Sequence, residues 1–333
     1  MADIMILGCG FGTALSVLWH GAGHKITAYT KFSGEIEEIR RDGEHKRLLP
    51  GVKIPEGIEF TTDISLIKKA RIIIFAIPSK FVREVAEEAA PYIPENAVIV
   101  NAGKGFAGES GGRFSEVIGS RIPGNPIVAL TGPCHAEEVG RGIPTTVVSA
   151  SSNRESAEYI QRTLQTNSFR IYVNDDLIGC ELGGALKNPI ALCCGIALGM
   201  GLGDNTVAAL MTRGLAEIKR LGTALGAKWQ TFTGLAGVGD LIVTCTSKHS
   251  RNHRAGILIG RGMSAEEAVK SVGTVEGYDC VRIALRLARE KGVDVPIFEQ
   301  LYGLCYEGAK PKDALRALME RPQKDERERF WTD

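Results

Sequence analysis

Ile4-Met5-Ile6-Leu7-Gly8-Cys9-Gly10-Phe11-Gly12-Thr13-Ala14-Leu15 joins a short apolar run to a glycine-rich turn and then to a helical pattern that ends near Gly23. The run predicts a strand, and the next β-rich segment begins at Lys25. Glycines let a backbone approach a pyrophosphate, and the helix behind them offers free N–H groups and the positive end of its dipole. Gly8, Gly10 and Gly12 are therefore candidate dinucleotide contacts. A tight βα turn that holds no ligand is the competing reading. The spacing is G-x-G-x-G, one residue shorter than the usual G-x-G-x-x-G, so an altered turn is expected.

Outward from this turn, the first half alternates β-branched runs with amphipathic stretches, as βαβ units around a parallel sheet do. The expected strands are 4–7, 25–30, 71–77, 97–101, 127–130, 145–149 and 169–173. Arg71-Ile72-Ile73-Ile74-Phe75-Ala76-Ile77 is apolar on both faces, which suits a sheet covered by helices on each side. Beyond residue 178 the strand signal stops and long helical periodicities follow, such as Asn205–Gly226 and Asp279–Gly292. The expectation is an α/β Rossmann-like domain with a mostly parallel, doubly wound sheet (1–178), followed by an all-α substrate and catalytic domain (179–333). The charged end from Lys324 to Asp333 reads as a solvated terminus.

The 333 residues suffice for one to three domains. Forty Lys+Arg against thirty-nine Asp+Glu give a net charge of +1, which excludes nucleic-acid or membrane-surface binding through bulk electrostatics. Apolar runs read as too short or too glycine-broken to cross a bilayer, and the opening residues run straight into a strand pattern, so no signal sequence is expected. A cytoplasmic protein is expected. The eight cysteines form no C-x-x-C pair and no metal-ligand spacing, so reduced thiols are expected. His249 and His253 are four apart, but without a carboxylate or third His, and with Arg251 and Arg254 beside them, they are not read as metal ligands.

Chemistry gathers at a few places. Lys187 stands alone in an apolar, glycine-rich helix, where burial lowers a lysine pKa and fits it for proton transfer; a lysine reaching out to water is the alternative. Lys31 closes the second strand where an NAD site would carry an acid, so it reads either as a partner for a 2′-phosphate, favouring NADPH over NADH, or as a surface lysine. Lys104, in Asn101-Ala102-Gly103-Lys104-Gly105, and the loop 132–138 follow strand ends, where open α/β sheets place ligands. Asp240 reads as orienting a hydroxyl or holding Lys187 charged, or as a helix cap. Arg251 between Ser250 and Asn252 suits a phosphate, with a surface ion pair as its alternative.

Gly8–Leu15, Asn101–Phe106, Gly132–Val139, Gly183–Ala191, Gly201–Gly222, Gly234–Asn252 and Thr274–Tyr278, in this order, resemble the bacterial-type NAD(P)-dependent sn-glycerol-3-phosphate dehydrogenases over nearly the whole chain. The resemblance implies reversible reduction of dihydroxyacetone phosphate to sn-glycerol 3-phosphate for phospholipid synthesis. It implies Lys187 as proton donor and acceptor, supported by Asn188, Asp240 and Thr244. Arg251 and Asn252, with Ser250, would hold the phosphate. Lys104 would lie beside both ligands and Gly132 and Cys134 near the substrate. Phe11, Ala136, Arg251, Val275 and Glu276 would surround the dinucleotide. Its partners would be these small molecules, with no nucleic acid, no membrane insertion, no metal, and a homodimer as the candidate assembly. Cys134 stands where the family has Ser or Thr, and a thiol is a poorer donor. Pro189 stands where an aliphatic residue is usual and is expected to kink the helix beside Lys187. Rival readings are another β-hydroxyacid-type dehydrogenase, which lacks the Ser-Arg-Asn block, and a non-enzymatic NADPH sensor.

Overall fold

The computed structural model describes residues 1–108, 110–323 and 325–326. The first half runs β1 (Asp3–Leu7), α1 (Phe11–Gly21), β2 (Lys25–Tyr29), α2 (Ser33–Asp42), β3 (Glu59–Thr61), β4 (Ile72–Phe75), α3 (Val82–Ala89), β5 (Val98–Asn101), α4 (Phe114–Gly119), β6 (Ile127–Thr131), α5 (Ala136–Val139), β7 (Thr145–Ala150), α6 (Arg154–Leu164) and β8 (Phe169–Asn174). The second half is helical: α7 (Leu177–Gly199), α8 (Asp204–Ala224), α9 (Asp240–Thr246), α10 (Arg251–Gly260), α11 (Ala265–Val272), α12 (Glu276–Lys291), α13 (Pro296–Tyr306) and α14 (Pro311–Met319). Residue 178 falls in the first turn of α7. The terminal charged stretch lies mostly outside the described residues.

The strands form one sheet in the order β3-β2-β1-β4-β5-β6-β7-β8, parallel except for the β6–β7 pair. Its two faces follow directly from the period-2 alternation of side chains. Ile4, Ile6, Ile72 and Ile74 enter one core with Leu15, Trp19, Ile160 and Leu164 of α1 and α6. Met5, Leu7, Ile73 and Phe75 enter the other with Val82, Val85, Phe114 and Ile118 of α3 and α4. The chain leaves β1 toward β2 and β3, then returns to β4 on the other side, so the crevice above β1 and β4 is a topological switch point. The glycine-rich turn sits there. All seven expected strands are present; β3, a three-residue edge strand with one buried side chain, was not expected because so short a segment has no readable alternation.

The helical half is built around α7. Glycines do not break this helix; they admit its neighbours. A Cβ on Gly195 or Gly199 would strike the carbonyls of His253 and Ile257 on α10, and one on Gly256 or Gly260 would strike those of Leu192 and Ile196 on α7. Backbones in contact gain packing that outweighs glycine's poor helix propensity. One sequence expectation is thereby corrected. At 23 residues, α7 is long and apolar enough to cross a bilayer, yet 89% of its apolar window is buried inside the protein.

Pro189 also lies within α7, and the helix continues through it. Proline has no N–H to donate to the carbonyl four residues back, that of Ala185. The Cys280 thiol from α12 donates to that carbonyl at 3.4 Å instead. Cys280→Ala is therefore expected to cost about 1 kcal/mol by stranding a buried acceptor, and Cys280→Ser, which keeps a donor, to cost less. Urea unfolding of both variants checks this; equal midpoints for the two would remove the compensating role.

Candidate active site

The three glycines of the first turn do different things. Gly8 has φ +106°, and a Cβ there would lie 2.6 Å from the Ala76 carbonyl. Gly12 packs α1 onto β1, its notional Cβ 2.8 Å from Ile6 Cγ2. Above Gly10 the space is open, with only a Leu48 methyl as close as 4.0 Å. A tight turn, an open backbone approach and close helix–strand packing are the three requirements of a pyrophosphate cradle. The shortened spacing preserves all of them, and Phe11 opens α1 at its mouth.

Lys31 is not free at the end of β2. Its ammonium lies 2.7 Å from Glu84 Oε1 and 2.8 Å from Glu88 Oε2, carboxylates on α3 that hold its pKa above the usual lysine value. The sequence reading of Lys31 as a 2′-phosphate partner therefore meets a lysine already neutralised. Conversely, an acid does reach this strand end: Glu35 Oε2 accepts a hydrogen bond from Thr30 Oγ1 at 2.7 Å.

Deeper in the crevice the expected charged residues converge. Lys187 on α7 is 5% exposed and Asp240, the first residue of α9, 1%. A single π-helical turn, Leu235–Gly239, delivers Asp240, and Gly183 of α7 lets that turn approach so closely that a Cβ would strike the Ala236 carbonyl. The Lys187 ammonium donates to Asp240 Oδ1 at 2.6 Å and to Thr244 Oγ1 at 2.5 Å. Thr244, one turn along α9, donates its hydroxyl hydrogen bond to the Asp240 carbonyl at 2.6 Å, which leaves its lone pairs to Lys187. On the other side Lys104 meets Asp240 Oδ2 at 2.7 Å and donates to the Gly132 carbonyl at 2.7 Å. Gly184 gives Lys104 its passage across α7, a notional Cβ lying 3.4 Å from the lysine stem.

One buried carboxylate between the buried Lys187 and the half-buried Lys104 ammonium groups leaves a net positive site. Burial lowers the Lys187 pKa to about 8; Lys104 pushes the same way and Asp240 opposes. For Lys104, burial also acts downward, but the Asp240 and Cys134 charges outweigh it and hold it protonated. Burial works against the charged Asp240, and the two lysines overcome it. Cys134 donates to the Gly132 carbonyl at 3.1 Å and lies 3.5 Å from Lys104 Nζ, its thiol pushed up by burial.

A second chain of contacts links the start of α10 to α7 and α12. Asn252 donates to Asn188 Oδ1 at 3.0 Å and accepts from the Gly277 N–H at 2.8 Å. Ser250 caps α10 through the His253 N–H at 3.2 Å. Arg251, exposed in the first turn of α10, has no ion-pair partner among the described residues. Val275 is buried just ahead of α12, and Glu276 receives Ser79 Oγ at 2.6 Å and Ser79 N–H at 3.2 Å, tying the loop after β4 to the helical half. Ala136 begins α5 and packs against the core that holds α1.

Two polar groups escaped the sequence reading. Thr131 Oγ1 and His135 Nε2 are buried without a hydrogen-bond partner. Thr131 lies over Gly184 beside Lys104, and the His135 imidazole is kept neutral by burial and by the charges of Lys187 and Lys104. Thr131 ends a strand at the crevice and was detectable from that position; His135 lay inside a quoted motif but carries no spacing signal.

This arrangement has counterparts. The N-terminal and C-terminal family models of NAD-dependent glycerol-3-phosphate dehydrogenase match residues 3–157 and 176–316. A glycerol-3-phosphate dehydrogenase (NAD(P)+) of Desulfitobacterium hafniense is 48% identical over 98% of this chain and 93% of its own length. One from Pelotomaculum thermopropionicum is 49% identical over 98% and 95%. The crystal structure of glycerol-3-phosphate dehydrogenase from Coxiella burnetii superposes with a TM-score of 0.91 at 35% identity, covering 96% of this chain and 99% of that one. With both halves matched and the order of elements preserved throughout, the chain belongs to the NAD-dependent glycerol-3-phosphate dehydrogenase family.

Proposed function

We propose that this chain interconverts dihydroxyacetone phosphate and sn-glycerol 3-phosphate with NADH or NADPH, supplying the glycerol backbone of phospholipids. Residues 1–178 hold the dinucleotide and 179–333 provide the acid/base group and the phosphate site. The observation that carries this reading is the Lys104–Asp240–Lys187 row, a net positive cluster with one lysine near neutral pKa. The bound nicotinamide supplies or accepts the hydride at C2. Lys187 gives its proton to the developing alkoxide on reduction and removes it on oxidation. Asp240 and Thr244 hold the Lys187 ammonium in place, so that its motion is restricted to the line of transfer. Lys104 remains charged and stabilises negative charge on the substrate oxygens.

Arg251, Ser250 and Asn252 take the phosphate, aided by the N-terminal dipole end of α10. Asn188, fixed by Asn252, orients the substrate from the α7 side. The eight free cysteines support a reducing, cytoplasmic location. The test is NADH or NADPH oxidation by the purified chain with dihydroxyacetone phosphate as the added substrate. Absence of oxidation with both cofactors sinks the reading.

A further inference from the structure

The end of β2 gathers three carboxylates, Glu35, Glu84 and Glu88, against two cations, Lys31 and Arg47, and both cations are ion-paired. Lys31 is bracketed by Glu84 and Glu88, and Glu88 is itself fixed by the Tyr29 hydroxyl at 3.0 Å. Glu35 enters from the first turn of α2 and is held by Thr30 Oγ1 at 2.7 Å and by Arg47 at 2.7 Å; its side chain is 12% exposed. Thr30 follows Tyr29, whose carbonyl accepts the Gly8 N–H at 2.8 Å, so Glu35 stands beside the pyrophosphate cradle. Cys9, inside the cradle, feels it: burial first and the Glu35 charge second push its thiol up to about 12. In dinucleotide folds an acid at this place accepts the hydroxyls of the adenosine ribose, whereas a 2′-phosphate needs an unpaired cation. A carboxylate offers about four acceptor positions, so its two present bonds leave room for a ribose hydroxyl.

Resting on the dehydrogenase reading above, we propose that this chain selects NADH over NADPH, with Glu35 receiving the adenosine ribose hydroxyls and Lys31 withheld from a 2′-phosphate by Glu84 and Glu88. Three carboxylates against Lys31 and Arg47 repel the added phosphate dianion. To accept NADPH, Lys31 must turn a donor from Glu84 or Glu88 to the phosphate, and Glu35 must tolerate a phosphate next to it.

The measurement is the dissociation constant of each reduced cofactor for the full chain, read from nicotinamide fluorescence without substrate, alongside kcat/KM for both. Wild type is expected to bind NADH about tenfold or more tightly than NADPH, roughly 1.4 kcal/mol per factor of ten. Glu84→Gln combined with Glu88→Gln frees Lys31 and should tighten NADPH by about tenfold while leaving NADH within about twofold. Glu35→Gln should weaken NADH by about tenfold and narrow the ratio from the other side. Wild-type NADPH binding as tight as NADH, or an unchanged ratio in the double variant, overturns the selectivity while leaving the dehydrogenase assignment standing. Binding of neither cofactor overturns both.

Discussion

Lys187→Ala is expected to lower kcat by roughly 10²–10⁴-fold, the range for a lost general acid/base, with cofactor affinity nearly unchanged. Fold loss is not the expected route, because Asp240 keeps Lys104 as a counter-ion after the substitution. Retention of more than about a tenth of wild-type turnover would place the proton transfer elsewhere. The wild-type pH profile gives an independent check. Reduction consumes the ammonium form, so its rate should fall as pH rises through about 8, whereas oxidation needs the free amine and should rise through the same region. Asp240→Asn removes the charge that opposes the lowering and leaves Lys104 pressing on Lys187, so the reduction limb should move to lower pH. The stability sign follows from the same shift. Between about 8 and the usual lysine value of 10.5 the folded chain binds fewer protons than the unfolded one, so Lys187's contribution to stability improves as pH rises through that window. A reduction rate that stays flat from about pH 7 to 9 would contradict the assignment.

What was legible in the sequence was what local periodicity encodes. The seven anticipated strands are there because Ile4, Ile6, Ile72 and Ile74 and their alternating neighbours each need a covered face, a requirement written into consecutive residues. The Gly8-x-Gly10-x-Gly12 turn was legible as a tight turn between strand and helix, while its tolerance of the shortened spacing was not. That depends on Ala76 and Ile6 approaching from β4 and β1. Non-local partners account for the remaining surprises. Lys31 reads as a free cation until α3 brings Glu84 and Glu88 to it from more than fifty residues away. Pro189 reads as a helix disturbance until Cys280, on α12, supplies the hydrogen bond that proline cannot. The glycines of α7 look like breaks and prove to be contact points, because their worth lies in the facing glycines of α10. The isolation of Lys187 left two readings open, a buried lysine or one reaching out to water, and its 5% exposure decides for burial. Asp240 and Thr244 were placed with Lys187 through the resemblance; the sharing of Asp240 with Lys104 was not legible, because it needs the π-helical turn to set α9 between the two lysines.

Arg251→Leu is expected to raise KM for dihydroxyacetone phosphate far more than for dihydroxyacetone. The lost contact is charge-assisted and is worth roughly 1.5–3 kcal/mol, or about ten- to a hundredfold in kcat/KM. Several features make this a clean test. Arg251 is exposed and without an ion-pair partner among the described residues, so its removal breaks no ion pair. The cap of α10 comes from Ser250 and the tie to α7 and α12 from Asn252, both unaltered by the substitution. The helix should therefore stay in place, and its dipole should retain part of the phosphate affinity. Glu276 lies close enough for its charge to register that of Arg251, so a modest change in cofactor affinity is expected as well. Some loss of kcat should accompany the rise in KM, since phosphate binding remote from C2 helps to hold the carbonyl in line with Lys187. Rates with dihydroxyacetone, which has no phosphate to lose, should barely move. If kcat/KM instead falls by the same factor for dihydroxyacetone and its phosphate ester, the phosphate is held elsewhere and Arg251 only shapes the entrance to the crevice.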